Sequence, residues 1–346
     1  MDKGYRCIGP VLRDAAIQYL PITDAGDLPK GAELQQAPAV YQIDQGQSER
    51  LFSWANGPSA LRPILFPAHE TLWQAQRDQS GVLKFSPGAV DMEPTAVIGV
   101  KGCDLAAMQL QDQHFLTPGS EDPQYKKRRD SILLIGVDCS HPSATCFCAS
   151  TGDGPEVSTG FDLAMSELDD GFILRAGTEL GAELLRSLGL SPASDDQIQR
   201  SDEQNRSAVA TQTRQLPDAD LHRLLFERPY HPYWKQIAER CTACGSCTSV
   251  CPTCFCFSEH AETSLDASSS QQIREWSSCF IPGHSTFCNH PVRTDIATRY
   301  RQWATHKLAG WYEQFGRSGC VGCGRCISWC PVGIDITQAA ASVADD

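Results

Sequence analysis

The first half of the chain contains short, continuous apolar runs separated by polar segments. Residues 96–100, 132–137 and 172–176 are apolar enough to predict buried strands. The stretch 104–115 follows the first run with helix-like spacing, and Asp104 is its predicted N-cap. This order of strand, helix and strand predicts an α/β N-terminal domain.

The second half contains a longer pattern with a period near 3.6 residues. Residues 294–315 predict a helix that is ended by Gly316. Its charged positions, Arg299, Arg301 and Lys307, favour a packing helix with a solvated basic side. A docking face for an acidic partner is the alternative.

A polar stretch divides the two halves. Residues 191–220 are rich in Ser, Asp and Gln, which predicts a linker with one exposed helix. We therefore predict an α/β domain over residues 1–215 and a second domain over residues 216–346. The second domain is expected to be mainly α-helical.

Composition narrows the class of protein. No apolar run in the 346 residues approaches the roughly 20 needed to cross a bilayer. The first residues, MDKGYRCIGPVLRD, lack the pattern of a secretory signal, so we expect a cytoplasmic protein with no membrane contact. The net charge of -13 argues against nucleic-acid binding, which needs a basic surface.

Seventeen cysteines are the unusual feature of the composition. A reducing cytosol keeps thiols free, so a dense set of cysteines there indicates metal binding or redox chemistry. An odd number of cysteines also means that disulfide pairing cannot account for all of them.

Two cysteine runs in the second half have the same spacing. CTACGSCTSVCP begins at Cys241, and CVGCGRCISWCP begins at Cys320. Each matches the C-x2-C-x2-C-x3-C-P run that holds cubane clusters in bacterial ferredoxins. Zinc sites use pairs of ligands and do not need this third and fourth cysteine. The two runs therefore predict two [4Fe–4S] clusters.

In two-cluster ferredoxins the fourth cysteine of each run binds the other cluster. Carried over to this chain, that rule predicts two crossed ligand sets. The first cluster takes Cys241, Cys244, Cys247 and Cys330, and the second takes Cys320, Cys323, Cys326 and Cys251. The crossing joins the two runs across a long insert.

Four further cysteines lie in the first half. Cys103 and Cys139 each follow a predicted strand, and Cys146 and Cys148 stand in the nearby sequence TCFC. The carboxyl ends of parallel strands meet at one edge of a sheet, where α/β proteins build their sites. We predict that these four thiols hold a third iron–sulfur cluster. Zinc at the same thiols, or buried free thiols, are the alternatives.

The sequence TCFC occurs a second time, with Cys254 and Cys256 directly after the first ferredoxin-type run. These cysteines are predicted to pack around a cluster that other residues bind, because buried free cysteine is common. The alternative is a further site formed together with Cys279 and Cys288.

Several stretches together resemble a known family. They are GVKGCDLAAMQLQDQHFL at 99–116, CFCASTGDGPE, GFDLAMSEL, CTACGSCTSVCPTCFC, and RYRQWATHKL leading into CVGCGRCISWCPVGIDI. These stretches resemble the β subunit of sulfhydrogenase-type cytosolic [NiFe] hydrogenases and, equally, the iron–sulfur subunit of anaerobic sulfite reductase, which belongs to the same group.

The resemblance implies an electron-transfer subunit without a catalytic site of its own. It would relay single electrons between a flavoprotein subunit that handles NAD(P)H and a catalytic subunit, and no flavin is predicted in this chain. The alternative is a stand-alone oxidoreductase whose N-terminal cysteine site binds substrate or a flavin. A redox sensor and a zinc-stabilised scaffold are further alternatives.

Overall fold

A computed structural model of the chain describes residues 4–90, 92–288 and 290–345. The strands are β1 Arg6–Arg13, β2 Ala16–Pro21, β3 Ala32–Ala37, β4 Val40–Gln45, β5 His69–Arg77, β6 Leu83–Pro87, β7 Thr95–Val100, β8 Ile132–Val137, β9 Leu163–Leu168, β10 Gly171–Ala176, β11 Phe257–Thr263, β12 Ser269–Trp276, β13 Thr286–Phe287 and β14 His290–Pro291. The helices are α1 Arg62–Leu65, α2 Gly102–Phe115, α3 Pro123–Asp130, α4 Cys148–Thr151, α5 Glu179–Ser187, α6 Asp195–Ala210, α7 Leu221–Glu227, α8 Tyr233–Arg240, α9 Ser246–Ser249, α10 Ile296–Thr305, α11 Trp311–Phe315, α12 Arg325–Ser328 and α13 Ile336–Ala344.

A six-stranded sheet forms the centre of the first half, in the order β10-β9-β8-β7-β1-β2. The strands β1, β7, β8 and β9 are parallel to one another, and β2 and β10 are antiparallel edges. The apolar sequences of β7 and β8 are buried, as expected for strands covered on both faces. The predicted α/β domain is confirmed, and so are its three predicted strands.

Helix α2 begins earlier than its sequence pattern predicts. Lys101 is the N-cap, so the predicted N-cap role of Asp104 is wrong. Asp104 lies in the first turn of the helix with 2% of its surface exposed. Its carboxylate binds a buried arginine of the second half, Arg325, instead of the end of its own helix.

The insert between the two ferredoxin-type runs is only partly helical. Strands β11 and β12 form a hairpin, and β12 pairs with β5 of the first half in the sheet β11-β12-β5-β6. The expectation of a mainly helical second domain is therefore not confirmed. Residues of both halves contribute to this sheet.

The predicted helix over 294–315 is present in three parts. Helix α10 continues through a π-helical turn, His306–Gly310, into α11, and Gly316 ends it in the left-handed conformation with φ +72°. Its apolar side packs in a core with α7, α8 and α13. Lys307 was expected on a solvated side but is 3% exposed, so that part of the prediction is wrong.

Candidate iron–sulfur sites

Cysteines from both ferredoxin-type runs meet around one cavity. We define site A as four cysteines that line this cavity: Cys241, Cys244, Cys247 and Cys330. The first three lie at the start of α9, and the fourth follows α12. Phe280, Tyr300 and Trp303 form an apolar wall of the same cavity. Site A is the first ligand set that the sequence predicts.

The remaining cysteines of the two runs also lie close together. We define site B as the second predicted set: Cys251, Cys320, Cys323 and Cys326. Burial and the neighbouring thiols of Cys320, Cys323 and Cys251 raise the pKa of Cys326. Burial likewise raises the pKa of Cys320 to about 12, with Cys323 and Cys251 adding to the shift. The chain thus brings together both crossed sets, and iron ligation by them stays a prediction.

The two runs fold alike because they share a glycine with left-handed backbone. Gly245 has φ +77° and precedes α9, and Gly324 has φ +73° and precedes α12. Only glycine adopts this conformation at little cost. In each run it turns the chain between the second and third cysteine, so that both can face the same side.

The electrostatics of sites A and B fit a multi-iron cofactor. The pKa of Cys247 is raised by burial and by Cys330 and Cys241. Thiols so crowded resist becoming thiolates unless cations are bound, and thiolate is the form that binds metal. A set of four sulfur ligands is the donor chemistry of cubane clusters. The residues therefore fit the group that their spacing implies.

The four predicted ligands of the first half also converge, and we call them site C: Cys103, Cys139, Cys146 and Cys148. The pKa of Cys103 is raised by burial, by Asp104 and by Cys148. Burial and Cys139 raise the pKa of Cys146 to about 12. The loop after β8 closes back on itself, since the amide of Cys139 donates to the carbonyl of Pro155 at 3.0 Å.

Polar groups surround the sulfurs of site C. Ser143 Oγ lies 3.2 Å from Cys146 Sγ, and Asn56 Nδ2 lies 3.8 Å from the same sulfur. Gln212 Nε2 donates to Cys148 Sγ at 3.3 Å. Donors placed in this way orient ligand sulfurs and tune a cluster. No local pattern in the sequence points to Asn56 and Gln212, which lie far from the cysteines along the chain.

Sites B and C are in direct contact. The amide of Phe147, between Cys146 and Cys148, donates to the carbonyl of Gly322 at 2.8 Å. A Cβ atom at Gly322 would stand 2.5 Å from the backbone of the same loop. Cys323 of site B packs in one buried cluster with Cys103 and Cys148 of site C. Backbone-to-backbone approach at glycine thus leaves little space between the two sites.

Sites A and B adjoin on the opposite side. Cys326 of site B contributes to the lining of the site A cavity. Cys247 of site A is among the thiols that raise the pKa of Cys326, after burial and the cysteines of site B. Site B therefore lies between the other two sites, in the order A, B, C.

Three buried cations lie beside these thiols. Arg325 forms an ion pair with Asp104, next to Cys103 and Cys323. Lys101 donates from Nζ to the carbonyl of Phe52 at 3.0 Å, near Cys139. Lys307 donates from Nζ to Thr253 Oγ1 at 2.7 Å, near Cys251 and Cys320. Sequence reasoning missed these roles because charged residues are expected to be solvated by default.

The second TCFC lies next to site B. The thiol of Cys254 hydrogen-bonds Cys251, and that of Cys256 hydrogen-bonds Cys279. Cys288 is exposed. Within residues 4–90, 92–288 and 290–345, no three His, Cys, Asp or Glu side chains are arranged to hold a single metal ion. A cubane cluster differs from a single ion because each cysteine binds its own iron atom.

Comparison with known proteins agrees with the cysteine pattern. Residues 240–334 match the model of a family described as a 4Fe-4S dicluster domain. Over 255 residues the chain is 31% identical to sulfhydrogenase 2 subunit beta of Pyrococcus furiosus, a match that covers 72% of this chain and 74% of that protein. No solved structure matches the chain. In the part of the chain that the structure describes, no helix has the length and apolar character to span a membrane.

Proposed function

The chain belongs to the sulfhydrogenase β-subunit family and carries an iron–sulfur dicluster domain, and from that premise we propose that it relays single electrons between two other subunits of a redox complex. One partner is a flavoprotein that handles NAD(P)H, and the other is a catalytic subunit of the hydrogenase or sulfite-reductase kind. The relay consists of sites A and B in a ferredoxin-type domain over residues 216–346, and of site C in the domain over residues 1–215.

The observation that carries this proposal is the order of the three sites. Cys326 of site B borders site A, and Cys323 of site B packs against Cys103 and Cys148 of site C. Three sets of four thiols therefore form one continuous row through the protein. A row of sulfur sites suits transport from one surface to another better than it suits a reaction at one place.

The side chains around the row keep it dry and limit its chemistry. When bound, cubane clusters supply one-electron transfer at potentials set by nearby charge, hydrogen bonds and solvent exposure. Trp303, Tyr300 and Phe280 exclude water from site A. All cysteines of site C are buried. Four cysteines per site leave no position for a substrate, which favours a relay over catalysis.

Cys244 marks one end of the row. It is the exposed cysteine of site A, whereas its partners Cys241, Cys247 and Cys330 are partly covered. Solvent exposure at one corner of a site brings it within reach of a docked redox partner. We infer that electrons enter or leave the chain at this corner, and that site C serves the other end.

The number of clusters is tested by iron and acid-labile sulfide per chain in anaerobically isolated protein. Cys146→Ala should lower the iron content by about four atoms, because one [4Fe–4S] cluster is lost. Cys7→Ala removes a buried thiol in β1, outside the three sites, and should leave the content unchanged. Equal iron in wild type and Cys146→Ala would overturn the assignment of a cluster to site C.

The relay itself is tested by anaerobic reduction. NADPH should leave the absorbance of the isolated chain unchanged and should bleach it only after the flavoprotein subunit of the same complex is added. The alternative, a stand-alone oxidoreductase, predicts oxidation of NADPH by the chain alone or a bound flavin. Either of those results would contradict the proposed function.

A further inference from the structure

Five cysteines lie outside sites A, B and C: Cys7, Cys254, Cys256, Cys279 and Cys288. Cys7 is in β1, and Cys288 is exposed on the loop between β13 and β14. The other three line one buried cavity beside site B. Three thiols in a single cavity call for an explanation beyond packing, because the chain must be folded from distant segments to place them there.

The hairpin of the insert brings these thiols together. Phe257, directly after Cys256, pairs with Trp276 at the open end of the β11–β12 hairpin. The amide of Ser277 then donates to the carbonyl of Cys256 at 2.9 Å, and Cys279 lies two residues further along. The antiparallel register thus sets Cys279 beside Cys256, and the two thiols hydrogen-bond each other.

A histidine lines the same cavity. His306 and Lys307 begin the π-helical turn, and both border the cavity although adjacent helical residues usually face apart. Single π-helical turns occur often at functional sites. The His306 ring lies between Phe255 and Trp311, with centroids 6.4 and 5.9 Å away. Burial, Lys307 and Arg293 lower the pKa of His306 to about 4, which keeps its imidazole in the neutral, metal-binding form.

Two unsatisfied donors point to a missing acceptor in this region. Among the residues that the structure describes, Trp303 and Trp311 have buried indole N–H groups without a hydrogen-bond partner, and both residues line the cavity. Buried donors nearly always find an acceptor, so two in one place need an explanation. The sulfur atoms of a cluster accept such hydrogen bonds.

The cavity is built like that of site A. Both are lined by cysteines and closed by aromatic side chains, and Trp303 contributes to both walls. Sulfur and imidazole are ligands that iron accepts. The donor set, the dry wall and the unpaired N–H groups all fit an iron–sulfur cofactor.

We propose that a fourth iron–sulfur cluster, of the [4Fe–4S] class, is held by a set that we call site D: Cys254, Cys256, Cys279 and His306. The proposal rests on the proposed function, because it adds a member to the same iron–sulfur relay. Cys254 contacts Cys251 of site B, so site D joins the row at site B and forms a branch. A branch gives site B two neighbours besides site A.

Iron analysis on the full chain, isolated anaerobically from its complex, tests site D. Cys279→Ala should lose about four iron atoms and the matching sulfide, as expected for one cubane. Cys288→Ala is the matched control, since it removes an exposed thiol further along the same insert. Cys146→Ala, run in parallel, reports on site C. Unchanged iron in Cys279→Ala, or a Cys256–Cys279 disulfide found by mass spectrometry, would overturn site D.

The outcomes separate this inference from the proposed function. If iron falls in Cys146→Ala but not in Cys279→Ala, site D fails and the relay stands. If iron falls in neither variant and in no variant of site A or B, both fail. Should Cys279→Ala lose all iron through misfolding, His306→Cys decides. That variant should keep its iron and change the EPR spectrum of one cluster, and an unchanged spectrum would contradict ligation by His306.

Discussion

Arg325 and Asp104 form a bidentate ion pair in the interior of the protein. Arg325 Nη1 lies 2.7 Å from Asp104 Oδ1, and Nη2 lies 2.8 Å from Oδ2. The two residues are 1% and 2% exposed. Each stands next to a cysteine, since Asp104 follows Cys103 of site C and Arg325 lies between Cys323 and Cys326 of site B. The pair therefore joins the two halves of the chain where sites B and C meet.

Removal of one partner should strongly destabilise the fold. Arg325→Met leaves the Asp104 carboxylate buried without its counter-ion, and we expect a loss of about 3–5 kcal/mol. Thermal unfolding under anaerobic conditions measures it. Arg200→Met is the control, because Arg200 makes an exposed ion pair with Asp170 and should cost less than about 1 kcal/mol.

A double variant checks that the loss comes from the pair itself. Asp104→Asn together with Arg325→Met should be less destabilised than the two single changes added, because no unpaired charge is then buried. Strict additivity would contradict the importance of this ion pair.

Gly324 should tolerate no side chain. Gly324→Ala places a Cβ 2.4 Å from the carbonyl oxygen of Thr145, in addition to a left-handed backbone at φ +73°. Gly316→Ala is a matched control with φ +72° and no atom within 4 Å of the added Cβ. The control should lose about 1 kcal/mol from backbone strain alone. Gly324→Ala should lose a further 1–3 kcal/mol, roughly, from overpacking, and equal losses would contradict the close approach of sites B and C.

The crossed ligand sets predict which thiols become reactive when one ligand is removed. In Cys330→Ala, alkylation followed by mass mapping should label Cys241 and Cys244 of site A. Cys320 and Cys323 should stay protected, although they lie closer to Cys330 along the sequence. The opposite pattern of labelling would show that each run binds its own cluster without crossing.

Lys307 should raise the reduction potential of site B. Its buried ammonium lies near Cys251 and Cys320, and a positive charge favours the state that has gained an electron. Lys307→Met should lower one potential by on the order of 100 mV, as Coulomb's law gives for a nearby charge at an effective dielectric constant near 20. EPR-monitored redox titration measures the shift. Lys235→Met, at an exposed position of α8, should leave all potentials unchanged.

His114 should make stability fall as the solution becomes acidic. Burial lowers the pKa of His114 below its ordinary 6.5, and Asp122 only partly offsets this. The unfolded chain therefore binds the proton more readily than the folded chain. Stability from the neutral ring is present above about pH 6.5 and is lost as the pH falls below it.

The matched variant for this effect is His114→Phe. It keeps an aromatic ring against Phe255, with which the His114 ring stacks at a centroid distance of 3.7 Å. Thermal unfolding of wild type and variant is compared between about pH 7.5 and 5.5, on either side of the ordinary histidine pKa. The wild type should lose stability relative to the variant at the lower pH. Parallel curves would contradict the prediction.

The sequence by itself determined the local features of this protein. The spacing of the two ferredoxin-type runs predicts the sets that meet at sites A and B, because ligand spacing within one loop is a property of a few neighbouring residues. Continuous apolar runs likewise predicted β7 and β8, since a strand buried on both faces needs no polar positions. The placement of Cys103 and Cys139 after these strands followed from the topology of parallel sheets.

Only the tertiary structure decided which distant residues meet. Lys307 and Asp104 have the same local pattern whether their charges face water or a buried partner, so the sequence placed one on a solvated side and the other at a helix end. The β11–β12 hairpin could not be foreseen to join β5, nor Cys279 to lie beside Cys256. Pairing between segments far apart in the chain depends on how the whole core packs, and no local pattern records it.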